Sequence, residues 1–345
     1  MTYAQIPSLF VQLDMAGCPN RCRHCWLGAH PNGHMTKDDF QEVTAAFRSW
    51  RDENGRGIKE LGFFSWWREP DFRDDYRELW AMEQALSSPA CAQRFELLST
   101  WRLARDESYA EWAATLPTKA CQISFFGMEE STDWGMRRPG AFSDQLLATE
   151  RCRTAGIEPR WQLFLTQRAL GELDDFLRLI RDYHITSYFL ITPTPEGSAW
   201  DLEDIRLTSD DLAAIPAELI AGSRDSDTLL GSPENALLPA LLKRNEPALL
   251  SPPPAIAIDA LWDVYPNIAE PAPWWRLGNL KTDGVDRIIR AWRDAACPGM
   301  DINLHMPVST LAQRFGNPDS RKLYADNDLI VRFFHQYGET LTAKA

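Results

Sequence analysis

The chain has 345 residues, 44% of them apolar, a formal net charge of −13 and seven cysteines, which fits one large cored domain, with or without an appendage, rather than a small disulfide framework. The acidic balance argues against a nucleic-acid partner, because a phosphate backbone asks for a basic face. No opening apolar segment follows a basic stretch and no apolar run approaches the ~20 residues that span a bilayer, so a soluble, cytoplasmic protein with no membrane attachment is expected.

Residues Pro7–Asp14 carry Leu9, Phe10, Val11 and Leu13 and read as a first strand, followed at once by Gly17-Cys18-Pro19-Asn20-Arg21-Cys22-Arg23-His24-Cys25-Trp26. Thr36 and Asp39 make a helix-capping pattern ahead of Phe40, Val43, Ala46, Phe47 and Trp50 at helical spacing. A second strand is expected over Leu61–Trp67, a helix over Asp74–Leu86, a third strand over Phe95–Leu98, a helix over Ser108–Leu116 and a fourth strand over Cys121–Phe126. The helix over Ser143–Ala155 stops at Gly156, the residue type favoured just past a helix end. Trp161–Leu165 and Tyr188–Ile191 complete the strands, with Leu173, Phe176, Leu177, Ile180 and Tyr183 marking one face of the helix between them. Strands alternating with helices imply parallel pairing through right-handed crossovers. The expected class is α/β: a partial (β/α)6 TIM-like barrel with a C-terminal α+β extension, its chemistry at the carboxyl ends of the strands.

Beyond Gly197 the sequence is first acidic, then rich in alanine and leucine, up to Pro252-Pro253-Pro254. Thr208-Ser209-Asp210-Asp211 reads as a helix start. Ile256 and Ile258 alternate within Ala255–Tyr265, and Trp274-Trp275-Arg276-Leu277-Gly278-Asn279-Leu280 precedes a helix over Val285–Asp294. The expected division is a core over 1–197, a helical connector over 198–254 and an extension over 255–345.

The chemistry is concentrated in Cys18, Cys22 and Cys25. Three thiolates at that spacing can converge on one metal centre, but structural zinc wants four protein ligands and four-iron clusters usually take four thiolates. Cys91, the next cysteine, brings no paired CxxC or HxxxH with it. A partial zinc site and buried free thiols are the plain readings. Soft thiolates with nothing to complete zinc favour a cubane whose fourth iron is left open.

This CxxxCxxC loop after a first strand resembles the radical S-adenosylmethionine superfamily. The resemblance implies one [4Fe-4S] cluster on the three cysteines, with the open iron chelated by the amino and carboxylate groups of S-adenosylmethionine. It further implies reductive cleavage to a 5′-deoxyadenosyl radical, driven by an external one-electron reductant such as flavodoxin or ferredoxin. Glu69 and Pro70 match the end of the family's Gly-Gly-Glu-Pro motif, which grips the methionine amino group, while Arg68 stands in a glycine place. The stretch from Ile123 through Gly127, with Asp133, Arg137 and Gly156-Ile157, is similar to a further family passage. That similarity implies a ribose contact from Ser124, a methionine-carboxylate contact from Arg137 or Arg138, and backbone contacts to adenine at Ile191 and Thr192. The plain readings are a strand-ending Glu-Pro turn, an ordinary strand serine and a solvated arginine face.

Asp263-Val264-Tyr265-Pro266 and the later Leu-Gly-Asn-Leu turn resemble the SPASM or twitch extension of the same superfamily, except that Asn267 stands where the family places cysteine. Only Cys297 remains downstream, and one thiolate cannot hold an auxiliary cluster. The resemblance therefore implies a retained scaffold without its metal, which favours epimerisation, elimination, decarboxylation or radical bond formation. Cys297 is the candidate hydrogen-atom donor for an epimerisation; its plain reading is a relic of the lost cluster or a buried small apolar residue. Cys91, Cys121 and Cys152 fall in helix or strand patterns and are expected in the core. His24 is either a hydrogen-bonding partner of the cluster or a loop residue, and His30, His34, His184, His305 and His335 show no ligand spacing. Trp66, Trp67, Trp101, Trp274 and Trp275 suit either a pocket wall or the core. The expected substrate is a carbohydrate- or nucleoside-type small molecule of a specialised biosynthetic pathway. A ribosomally made peptide is the rival, and a non-catalytic cluster-binding sensor or scaffold is the reading from another class.

Overall fold

Leu9, Val11 and Leu13 alternate with Ser8, Phe10 and Gln12, so one face of the first strand is buried and the other is only partly covered. In the computed structural model, which describes residues 8–28, 31–91, 97–224, 230–249, 254–266 and 270–343, this alternation recurs along Ala120–Phe125, Glu158–Phe164 and Tyr188–Ile191, whereas Glu60–Phe64 and Ala255–Ile258 are buried almost throughout. Pro7, His30, Phe95, Pro252, Pro253 and Asn267 lie outside the described residues. The strands are β1 (Ser8–Leu13), β2 (Glu60–Phe64), β3 (Ala120–Phe125), β4 (Glu158–Phe164), β5 (Tyr188–Ile191), β6 (Ser232–Pro233), β7 (Ala255–Ile258), β8 (Asp263–Pro266), β9 (Gly278–Asn279) and β10 (Leu323–Tyr324). The helices of the first part are α1 (Lys37–Ser49), α2 (Tyr76–Leu86), α3 (Thr100–Leu103), α4 (Glu107–Ala114), α5 (Glu129–Met136), α6 (Ala141–Thr154) and α7 (Leu173–Asp182).

The architecture is mixed α/β, with one mixed and one parallel open sheet among the described residues. One has the order β2-β1-β7-β8-β9 and the other β3-β4-β5, with β6 and β10 paired apart. β1 pairs with β2 in parallel, Val11 opposite Phe63, and β3, β4 and β5 are parallel too, with Ile123 opposite Trp161 and Trp161 opposite Tyr188. Among the described residues a continuous six-stranded run is not formed. Leu97 and Leu98 stay outside the sheets because Ser99 begins a helix there, its hydroxyl accepting from Arg102 N at 3.1 Å. The helix expected at Thr208 is a short 3-10 turn over Asp211–Ala214, since Asp211 folds back onto Thr208 N at 2.7 Å and its hydroxyl at 2.8 Å.

α1 starts with the capping box read from Thr36 and Asp39. Its Phe40, Val43 and Phe47 pack on Leu9, Val11, Phe63, Ile256 and Ile258 in one core. Ile123, Phe125, Trp161, Phe176 and Leu190 form the second. Burying each such side chain fully contributes roughly 1.5–3 kcal/mol. Cys91, Cys121 and Cys152 are buried as expected. β7 lies parallel to β1, with Val11 opposite Ile256, so the β7–β8 hairpin belongs to the same sheet as the first strand. After it, Asn279 caps the helix Leu280–Arg293 through Lys281 N and Thr282 N, and that helix kinks at Gly284. No described helix is long and apolar enough to cross a membrane.

Candidate active site

Cys18, Cys22 and Cys25 are free, partly buried thiols in the loop that leaves the carboxyl end of β1. Gly17 opens this loop at φ +73°, and a Cβ there would lie 3.0 Å from Asn32 Cγ, so a glycine lets Asn32 approach. Asn32 pairs with both peptide groups of Cys18: its Oδ1 accepts from Cys18 N and its Nδ2 donates to Cys18 O, each at 3.1 Å. Arg21 N and Arg23 N donate to Met136 O at 3.3 Å and Gly135 O at 2.7 Å, satisfying carbonyls left open at the end of α5. On the remaining side Ser198 N donates to Cys25 O at 2.9 Å. Gly197 permits that contact, because a Cβ on it would come within 2.2 Å of Trp26 O.

Burial pushes the Cys18 thiol up to about 12, helped by the Glu69 carboxylate and Cys25. Cys22 is held well above its ordinary range by burial, then by Cys18 and Cys25, and burial raises Cys25 as well. Thiolates enclosed together in this way need a positive centre beside them. Among the described residues no three His, Cys, Asp or Glu side chains close on a single metal ion. A zinc thiolate site requires its donors at about 2.3 Å from one ion, so the partial-zinc reading gains nothing here. A cubane spreads its thiolates over separate irons and does not ask for that convergence.

Glu69 faces the same space. Its N–H donates to Gly17 O at 3.2 Å, which joins the turn after β2 to the cysteine loop. The residue is half-buried, but its carboxylate is enclosed, and burial lifts it from 4.5 to about 7 against the Ser99 hydroxyl, the Arg138 charge and the Trp101 N–H. Glu69 Oε1 has no hydrogen-bond partner. Leaving such a group unpaired costs on the order of 1–3 kcal/mol, which a cationic ligand group would remove. Three thiols beside one orphaned carboxylate oxygen fit a cluster and an ammonium-bearing cofactor. Pro70 is buried behind Glu69. Arg68 does not block the approach, because its guanidinium turns back to Asp14, donating to the two carboxylate oxygens at 3.0 and 2.8 Å.

The structure separates the two arginines. Arg137 ends α5 at φ 50° and reaches outward to Asp201 at 3.2 Å. Arg138 points inward, its Nε donating to Asn20 Oδ1 at 2.7 Å and its Nη1 to Asp144 at 2.5 Å. Ser124 lies on the partly covered face of β3, its hydroxyl 3.4 Å from Gln162 Oε1. Ile191, at the end of β5, packs with Cys22 against Phe126, Met136, Ala141 and Phe164, and Thr192 beside it is buried. His24 is enclosed between Phe164 and Phe126, with ring centroids 3.9 and 4.9 Å away. Its Nδ1 has no hydrogen-bond partner and burial pushes the imidazole down to about 3, so it is a neutral wall of the loop.

Cys297 stands apart from this loop: it occupies the N-cap position of the helix Pro298–His305 without a side-chain cap bond, is 3% exposed, and burial pushes its thiol up to about 11. Trp67, Trp274 and Trp275 are core. Trp101, with Ala16, Phe72 and Arg73, lines an open cavity of about 480 Å³ beside the start of the cysteine loop. Sequence reasoning missed Asp14, Asn20, Asn32 and Ser99, whose partners are distant or carry no spacing signal. It also missed the pairing of half-buried His335, its Nδ1 2.6 Å from Glu270, whose other oxygen accepts from Gly197 N at 2.6 Å.

No protein-family model and no curated protein matches the chain. Among solved structures it is similar to anSMEcpe with bound AdoMet and Cp18Cys peptide, at 16% identity and a TM-score of 0.56 over 98% of each chain. It is also similar to SuiB of Streptococcus suis bound to S-adenosylmethionine, at 13% identity and a TM-score of 0.53 over 85% of this chain and 67% of that one. SuiB bound to precursor peptide SuiA matches at 11% identity and a TM-score of 0.50, over 94% and 76%. The chain thus shares the fold of anSMEcpe and SuiB, with its own three-cysteine loop at the end of β1.

Proposed function

We propose that the protein is a radical S-adenosylmethionine enzyme that modifies a peptide. The observation that carries the cofactor reading is the orphaned, enclosed Glu69 Oε1 facing the thiols of Cys18 and Cys22. In this reading Cys18, Cys22 and Cys25 hold one [4Fe-4S] cluster, and Glu69 receives the amino group of S-adenosylmethionine. The cluster, once bound, supplies the electron for reductive cleavage of S-adenosylmethionine. Arg138 places a positive charge near the cofactor carboxylate and Ser124 offers a hydroxyl to its ribose. Ile191 and Thr192 close the adenine side, while His24, Phe126 and Phe164 keep water from the loop. An external one-electron donor completes the system.

The peptide reading takes the place of the carbohydrate or nucleoside expectation. It is supported by likeness along nearly the whole chain to structures that hold a peptide, anSMEcpe with Cp18Cys and SuiB with SuiA. The open cavity lined by Trp101 and Phe72 gives an extended substrate room beside the loop. The same reading takes residues 1–197 as a partial barrel, 198–254 as a connector and 255–345 as a SPASM-like extension without an auxiliary cluster, supported by the β7–β8 hairpin and its capped helix. Anaerobic reconstitution, reduction and addition of S-adenosylmethionine should yield 5′-deoxyadenosine, and a pool of synthetic peptides should increase that yield and acquire a mass change. A full cluster without 5′-deoxyadenosine would instead favour a sensor or scaffold.

A further inference from the structure

The buried ion pair between Arg68 and Asp14 has a third participant. The Arg68 and Asp14 side chains are 6% and 5% exposed. Arg68 Nη2 spans both Asp14 oxygens and also donates to Pro31 O at 3.0 Å. The other arm, Nη1, donates to Asn32 Oδ1 at 3.2 Å. That oxygen also accepts from Cys18 N at 3.1 Å and from Arg21 Nη1 at 3.3 Å. An amide presents either its oxygen or its NH2 group to a given neighbour, and a guanidinium, which only donates, forces the oxygen to face it. Arg68, the buried and shorter-bonded of the two guanidiniums on this oxygen, therefore holds the direction of the Asn32 amide, and that orientation lets Asn32 pair with both peptide groups of Cys18. Nη1 reaches Asn32 while Nη2 reaches Asp14 and Pro31, and lysine, which ends in a single nitrogen, lacks the planar fork that spans the two groups.

We propose that Arg68 is a positioning residue for the Cys18 arm of the cysteine loop, acting through Asn32 and anchored to the end of β1 by Asp14. The proposal rests on the reading of this loop as a cluster site for its purpose, but not for its geometry. The test uses the full chain and two variants, Arg68→Lys and Asn32→Ala. Asn32 is half-buried on the loop, so its truncation keeps the test open where the arginine variant does not fold. Before reconstitution, alkylation of each cysteine is followed by mass spectrometry in chains whose circular dichroism matches the wild type. Cys18 is expected to react roughly fivefold faster in both variants, the scale of one lost hydrogen bond, with Cys22 and Cys25 nearly unchanged. After reconstitution, the variants are expected to show an altered electron paramagnetic resonance signature at equal iron content. Unchanged Cys18 reactivity, or equal acceleration of all three cysteines, overturns the proposal. Selective Cys18 acceleration in the two variants, together with a wild type that takes up no iron, upholds the positioning and removes the cluster reading instead.

Discussion

Arg138 Nε donates to Asn20 Oδ1 at 2.7 Å and so ties the turn between α5 and α6 to the middle of the cysteine loop. The same charge acts on the enclosed Glu69 carboxylate. Arg137, its neighbour, spends its guanidinium on exposed Asp201, a pairing worth little in water. Arg138→Gln is therefore expected to weaken S-adenosylmethionine binding about tenfold, or about 1.4 kcal/mol, while Arg137→Gln changes it less than twofold. Equilibrium binding to the reconstituted protein decides this. Equal losses would return Arg137 to the site.

Glu83 gives a pH dependence with a definite sign. Its Oε1 accepts from Ser65 N at 2.7 Å and Ser65 Oγ at 2.5 Å, yet burial is the larger influence and lifts the carboxyl from 4.5 to about 7. Folding takes up a proton on this group between those values, so its contribution is full below pH 4.5 and lost as pH rises through 7. Glu83→Gln is expected to match the wild type near pH 5 and to exceed it by on the order of 2 kcal/mol near pH 8. Denaturant titrations at the two pH values check this. A constant difference between the two proteins would contradict it.

Cys297 packs in the large core with Trp275, Trp292 and Met300. Cys297→Ala is expected to cost roughly 1 kcal/mol of stability and to leave both 5′-deoxyadenosine formation and peptide modification in place. Product analysis by mass spectrometry separates the readings. Loss of the peptide product with intact cofactor cleavage would restore the hydrogen-donor role.

What could be read from the sequence was what neighbouring residues encode. The strand Tyr188–Ile191 has the expected limits, and the Thr36 cap needs no distant partner. The strand expected over Leu61–Trp67 runs past its observed end at Phe64 because Ser65 N turns to Glu83 instead of the next strand. Phe95–Leu98 has strand-like composition, but its described part gives way to the helix capped by Ser99. The pairing of β7 with β1 joins segments far apart in the chain, and no local pattern announces it. The same holds at the site. The sequence offers Arg137 and Arg138 equally, and the left-handed turn at Arg137 settles which one faces Glu69. Asn32 carries no spacing signal, since its significance lies in reaching Cys18 across the loop.

The proposed function requires that Cys18, Cys22 and Cys25 leave one iron of a single cluster open to S-adenosylmethionine. Pulsed electron paramagnetic resonance of the reduced, reconstituted protein with S-adenosylmethionine labelled at its amino nitrogen tests it most directly. The account predicts a hyperfine coupling between that nitrogen and the cluster, in protein carrying about four irons per chain. A fully loaded cluster with no coupling to the labelled nitrogen would contradict it.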